Sequence, residues 1–83
     1  VSDVTHDSAQ ALIHDLVSAL VEHPDEVNVK AIEGDGTVVY EVQVHPEDNG
    51  KVIGKKGRTI NSLRTILRAA SLPGERRVMM ELV

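Results

Sequence analysis

Eighty-three residues leave room for one small domain, stable alone but only marginally, because short chains bury a modest fraction of their surface. The apolar share of 41% is that of an ordinary folded protein, so disorder over most of the chain is excluded; the absence of Cys excludes disulfides and thiolate metal sites and fits a reducing, cytoplasmic setting. No run approaches the roughly 18 apolar residues of a membrane span, and no basic-then-apolar pattern suggests a secretory leader.

The net charge of −4 hides a division. Residues 1–48 hold eleven acids and one base, Lys30, giving −10, whereas residues 49–83 hold eight bases and two acids, giving +6. From Asn49 to Gly74 there is no acid, and Lys51, Lys55, Lys56, Arg58, Arg64 and Arg68 all fall there. Such a patch attracts phosphates even on an acidic body, because salt screens the distant charges. A solvated basic helix face would read the same way.

Residues 1–6 read as a flexible segment before a domain over 7–83. Asp7 with Gln10 resembles a helix start, and Ala9, Leu12, Ile13, Leu16, Val17 and Leu20 follow at helical spacing. His23-Pro24 ends that helix, since the residue before proline avoids helical angles. Two alternating runs follow, Val27/Val29/Ala31 and Val38/Tyr40/Val42/Val44, separated by Gly34-Asp35-Gly36, which suits an antiparallel hairpin. Pro46 opens a short helix, with Glu47 and Asp48 at its positive end and Lys51 near its negative end. Gly54 stops it. A further helix from Gly57 or Arg58 to about Ser71 carries the stripe Ile60, Leu63, Ile66, Leu67 and Ala70, and Pro73-Gly74 breaks it. Val78, Met80 and Leu82 share one face of a last strand. The order α-β-β-α-α-β predicts an α+β, two-layer domain, a three-stranded sheet covered on one face by three helices.

The segment Gly50 to Ile60 carries the chemistry. A turn with glycine at both ends and two lysines between joins two helices. Glycine there permits unusual backbone angles and close ligand approach, and the turn feeds a helix N-terminus that favours anions. It is suited to gripping a phosphodiester backbone without any reaction. A nucleotide-binding P-loop is excluded: Gly50 and Gly54 are separated by three residues rather than four, and Lys55 is followed by Lys56. His6, His14, His23 and His45 show no metal-ligand spacing, and nothing arranges Ser, His and Asp as a triad, so neither a metal site nor an enzyme is expected.

Val52-Ile53-Gly54-Lys55-Lys56-Gly57-Arg58-Thr59-Ile60 resembles the hydrophobic-Ile-Gly-x-x-Gly-x-x-Ile signature of KH domains, and the element order resembles their bacterial type II variety. His45-Pro46-Glu47-Asp48 before Gly50-Lys51-Val52-Ile53-Gly54-Lys55 narrows the likeness to the small single-domain KhpA family, over roughly Ser8 to Val83. The resemblance implies binding of short single-stranded RNA, the loop clamping about four nucleotides, in a global or chaperone-type RNA regulator without cofactor or small-molecule substrate. Carried over, Lys55 and Lys56 meet phosphates and Gly54 and Gly57 permit the approach. Ile53 and Ile60 form or support an apolar groove, and Lys51, Arg58 and Arg64 flank it. Tyr40 is the sole aromatic, which argues against RNA-binding folds that stack bases on exposed rings and leaves a KH groove open. The family also implies self-association or pairing with a larger KH-containing RNA-binding protein. Two other readings stay open, a KH-shaped protein-interaction module and a binder of single-stranded DNA.

Overall fold

A computed structural model describes residues 2–70 and 77–83, with side chains from residue 9 onward. Helix α1 spans Ser2–Leu20, strands β1 and β2 span Asn28–Gly34 and Thr37–Gln43, helices α2 and α3 span Asn49–Ile53 and Arg58–Ala70, and β3 spans Arg77–Leu82. This is the α-β-β-α-α-β order expected. The break at Pro73-Gly74, the helix end at Ser71 and the side chains of His6 and Asp7 lie outside the described residues.

The helical backbone of α1 begins at Ser2, ahead of the Asp7 position read as its start. The Gln10 amide Nε2 donates to the Val29 carbonyl of β1 at 2.6 Å, so a residue read as local holds helix to sheet. Ala9, Ile13 and Val17 are buried and Leu16 packs against the core, while Leu20 at the helix end is 41% exposed.

β1 and β2 form the hairpin, with Val29 opposite Val42 and Ala31 opposite Tyr40; Gly36 at φ 68° makes the reversal. β3 then pairs parallel to β2, Val38 with Val78 and Tyr40 with Met80, so β2 is central in the order β1-β2-β3. A parallel pair requires a long crossover, which α2 and α3 supply. Val29, Val38, Tyr40, Val42 and Met80 turn one sheet face into the core against Ile13, Val17, Val52, Ile60, Leu63 and Leu67. Each fully buried aliphatic side chain contributes about 1.5–3 kcal/mol. No described element covers the other face. On it the row Ile32, Val39, Met79 crosses all three strands.

The stripe on α3 is narrower than its periodicity predicts. Ile60, Leu63 and Leu67 are buried, but Ile66 is 41% exposed and Ala70 is also exposed. α3 packs against α1, α2 and β3, so only the strip facing them meets the core, and Ile66 faces a flank that no described element covers.

Candidate nucleic-acid interface

α2 is five residues long and ends because Gly54, at φ 76° and ψ 171°, leaves helical space while its N–H still donates to the Gly50 carbonyl at 2.8 Å. Two features require glycine there. The angle is one that side-chain-bearing residues resist. A Cβ would also collide with Thr59 Oγ1 and stand 2.6 Å from Thr59 Cβ. The chain then makes one tight turn over Lys55–Gly57, closed by Gly57 N–H to the Gly54 carbonyl at 3.1 Å, and enters α3.

Within that turn Lys56 is left-handed at φ 58°, ψ 25°, the one non-glycine residue with positive φ among the described residues, followed by Gly57 at φ 74°. The left-handed region costs an L-residue roughly 1–2 kcal/mol. That cost is borne at a lysine, which the turn holds outward at its tip. Lys55, Lys56 and Arg58 are all exposed, and among the described residues none of them has an ion-pair partner. Three free cations therefore sit where the α3 dipole also favours an anion.

The other residues predicted for this surface divide. Ile53 is 41% exposed beside the turn, whereas Ile60 is 8% exposed and belongs to the core, as support rather than contact. Lys51 faces the acidic half: its ammonium lies 3.7 Å from both Glu22 and Asp48. Arg64 is half-buried; its Nε donates to the Met80 carbonyl at 3.2 Å and its Nη1 to Asn61 Oδ1 at 3.2 Å, which ties α3 to β3.

One supporting residue does more than the sequence indicated. Asp48, read as an acid at the positive end of a short helix, stands at the N-cap of α2 as expected and is fully buried. Its two oxygens accept the Glu22 and His23 amides at 3.1 and 3.0 Å, which fastens the chain leaving α1 to the start of α2. Burial pushes its carboxyl up, but those two amides, with positive charge at His23 and Lys51, outweigh burial and hold it below the usual carboxylate value. The only local signal was an acid just before a short helix, which says nothing of the remote amides it meets.

A helix–glycine turn–helix unit packed on a mixed three-stranded sheet, with cations at the turn, defines a KH-type domain. Residues 10–82 match the family model described as KhpA/KhpB, KH domain, and the chain belongs to that family. It is 43% identical over 72 residues to the RNA-binding protein KhpA of Caldanaerobacter subterraneus subsp. tengcongensis, covering 87% of this chain and 96% of that one. It is 38% identical over 79 residues to the RNA-binding protein KhpA of Bacillus subtilis (strain 168), covering 95% and 98%. Among solved structures it resembles a point variant of Aquifex aeolicus Era bound to GDP.AlF4−, with a TM-score of 0.62 and 26% identity over 89% of this chain and 29% of the Era chain. It also resembles Era in complex with MgGDPNP and nucleotides 1506–1542 of 16S ribosomal RNA, with a TM-score of 0.59 and 22% identity over 90% and 30%. The chain thus spans under a third of the Era chains, and that likeness is one of fold. Among the described residues no helix is long and apolar enough to cross a membrane.

Proposed function

We propose that this chain binds short single-stranded RNA in the cytoplasm, with Gly54-Lys55-Lys56-Gly57 gripping the phosphate backbone. The observation that carries this reading is the pair of exposed lysines without acidic partners among the described residues, one of them held in a left-handed conformation, between two positive-φ glycines at the start of α3. The name shared by the curated relatives supports it. Lys55 and Lys56 meet phosphates, Arg58 extends the contact, and Ile53 offers an apolar surface to a base. Ile60 sits beneath as support, and Lys51 and Arg64 act mainly by holding α2 and α3 in place. The test is Lys55→Asp with Lys56→Asp. Circular dichroism should be unchanged and affinity for a short RNA should fall at least about tenfold, since repulsion replaces attraction at two phosphates. An unchanged affinity in a folded variant refutes the assignment, and equal binding of a DNA oligomer of the same sequence removes the preference for RNA.

A groove for about four nucleotides discriminates poorly alone, so we infer that the protein acts as a homodimer or with a larger KH-containing RNA-binding protein, as a global or chaperone-type regulator. Tethering a second site raises its effective concentration. The open-face row Ile32, Val39 and Met79, with Ile32 and Met79 41% and 44% exposed, supports a protein contact on the sheet. Light scattering over a concentration series, with and without RNA, tests it. A strict monomer that retrieves no KH-containing partner from cells removes the proposal.

A further inference from the structure

Two segments of this chain repeat one short pattern, His23-Pro24-Asp25-Glu26 and His45-Pro46-Glu47-Asp48. Each folds as a 3-10 turn with the histidine as its first cap and proline in its first position. Folding lays the two histidine rings against each other, centroids 4.1 Å apart and planes inclined by 27°. Each histidine then faces a glutamate of the opposite turn. His23 Nε2 is 3.3 Å from Glu47 Oε1, and His45 Nε2 is 4.0 Å from Glu26 Oε2.

We propose that His23, His45 and Glu47 form a binding site for one divalent transition-metal ion of the zinc class, with Glu26 behind His45. One donor atom from each of the three residues lies within 4.8 Å of the others. Two donors bound to a tetrahedral ion at about 2.05 Å stand about 3.3 Å apart. His23 Nε2 and Glu47 Oε1 already have that spacing, and His45 Nδ1 is 3.9 Å from the same oxygen.

The tautomer of His45 suits the same assignment. His45 Nδ1 accepts the Glu47 backbone amide at 3.0 Å, so its lone pair is on Nδ1 and its proton on Nε2, toward Glu26. A carboxylate behind the far nitrogen is the usual support for a metal-bound imidazole. Three adjustments are needed: His23 Nε2 gives up the proton it shares with the Glu47 carboxylate, the Glu47 amide gives up His45 Nδ1, and the rings turn out of their stack so that both lone pairs reach one ion. The side chains of His23, His45 and Glu47 are 36%, 27% and 75% exposed, which leaves room for that rotation and for water in a fourth position. Two imidazoles select zinc, nickel or copper over magnesium or calcium, which take oxygen donors. The ion would join two segments distant in sequence, above the point where Asp48 already holds the Glu22 and His23 amides. The unfolded chain lacks that juxtaposition, so binding stabilises the fold. None of this depends on RNA binding.

The test uses the full chain without a polyhistidine tag, titrated with zinc by calorimetry and melted with zinc or magnesium. One zinc should bind per chain. Zinc at about 100 times its Kd should raise Tm by about 5 °C or more, and the same concentration of magnesium should not. His23→Gln is the diagnostic variant, because that ring makes no cap hydrogen bond and the fold should tolerate its loss. It should weaken zinc at least tenfold, as should Glu47→Gln. His14→Gln, at a histidine paired with Asp15 elsewhere on α1, should bind zinc like the parent. Absence of zinc binding, equal shifts with magnesium, undiminished zinc affinity in His23→Gln, or equal loss in His14→Gln overturns the proposal.

Discussion

Gly54 and Thr59 are packed so closely that a single methyl group cannot stand between them: a Cβ on Gly54 would lie 2.6 Å from Thr59 Cβ and 2.9 Å from its backbone nitrogen. Thr59 is in the first turn of α3, so this contact sets how α3 leaves the turn. Gly57 differs, because its added Cβ would meet only Asn61 Nδ2, at 3.8 Å. Gly54→Ala therefore combines angular strain with a clash and should destabilise by about 2–4 kcal/mol, whereas Gly57→Ala should cost about 1–2 kcal/mol from the angle alone. Urea unfolding of both variants checks the order; equal losses would mean the Thr59 contact yields freely.

Lys56 allows charge to be separated from backbone shape. Asparagine tolerates the left-handed region that Lys56 occupies at φ 58°. Lys56→Asn should keep stability within about 0.5 kcal/mol of the parent and still weaken RNA binding. The parent's plot of log affinity against log salt should slope between about −1 and −3, and the variant's should be shallower by about 0.7. A parent slope near −8 would indicate a long electrostatic track instead of a compact clamp.

Asp48 is predicted to hold the fold and leave the ligand surface alone. Its carboxylate serves the Glu22 and His23 amides at 3.1 and 3.0 Å from a fully buried position. Asp48→Ala leaves both donors without that acceptor and should lower the urea midpoint well below that of Glu47→Ala, whose side chain is 75% exposed. RNA affinity, measured where Asp48→Ala is still folded, should change less than in the lysine variants.

Neighbours on α3 should behave oppositely. Leu67 is 1% exposed and Ile66 is 41% exposed. Leu67→Ala should cost about 2–5 kcal/mol through a cavity, and Ile66→Ala under about 1 kcal/mol. Denaturation midpoints decide it. A large loss at Ile66 would show that the exposed flank is covered in solution.

What the sequence by itself determined was local. Helical spacing placed α1 and α3, alternation placed β1 and β2, and Pro24, Gly34-Asp35-Gly36 and Gly54 placed the breaks between described elements, because each depends on residues a few positions apart. The turn proposed as a clamp was legible for the same reason: Gly54 to Gly57 is four consecutive residues between two periodic runs. Only the tertiary structure decided the parallel pairing of β3 with β2, the burial of Asp48 against amides 25 and 26 residues away, and the division of cations into free Lys55 and Lys56 and engaged Lys51 and Arg64. It also brought His23 and His45 into one stack and left Ile66 outside the core. These depend on which surfaces meet once the helices pack on the sheet. Periodicity states that a face is apolar; how much of that face is covered, and by what, is settled by contacts between segments remote in the chain.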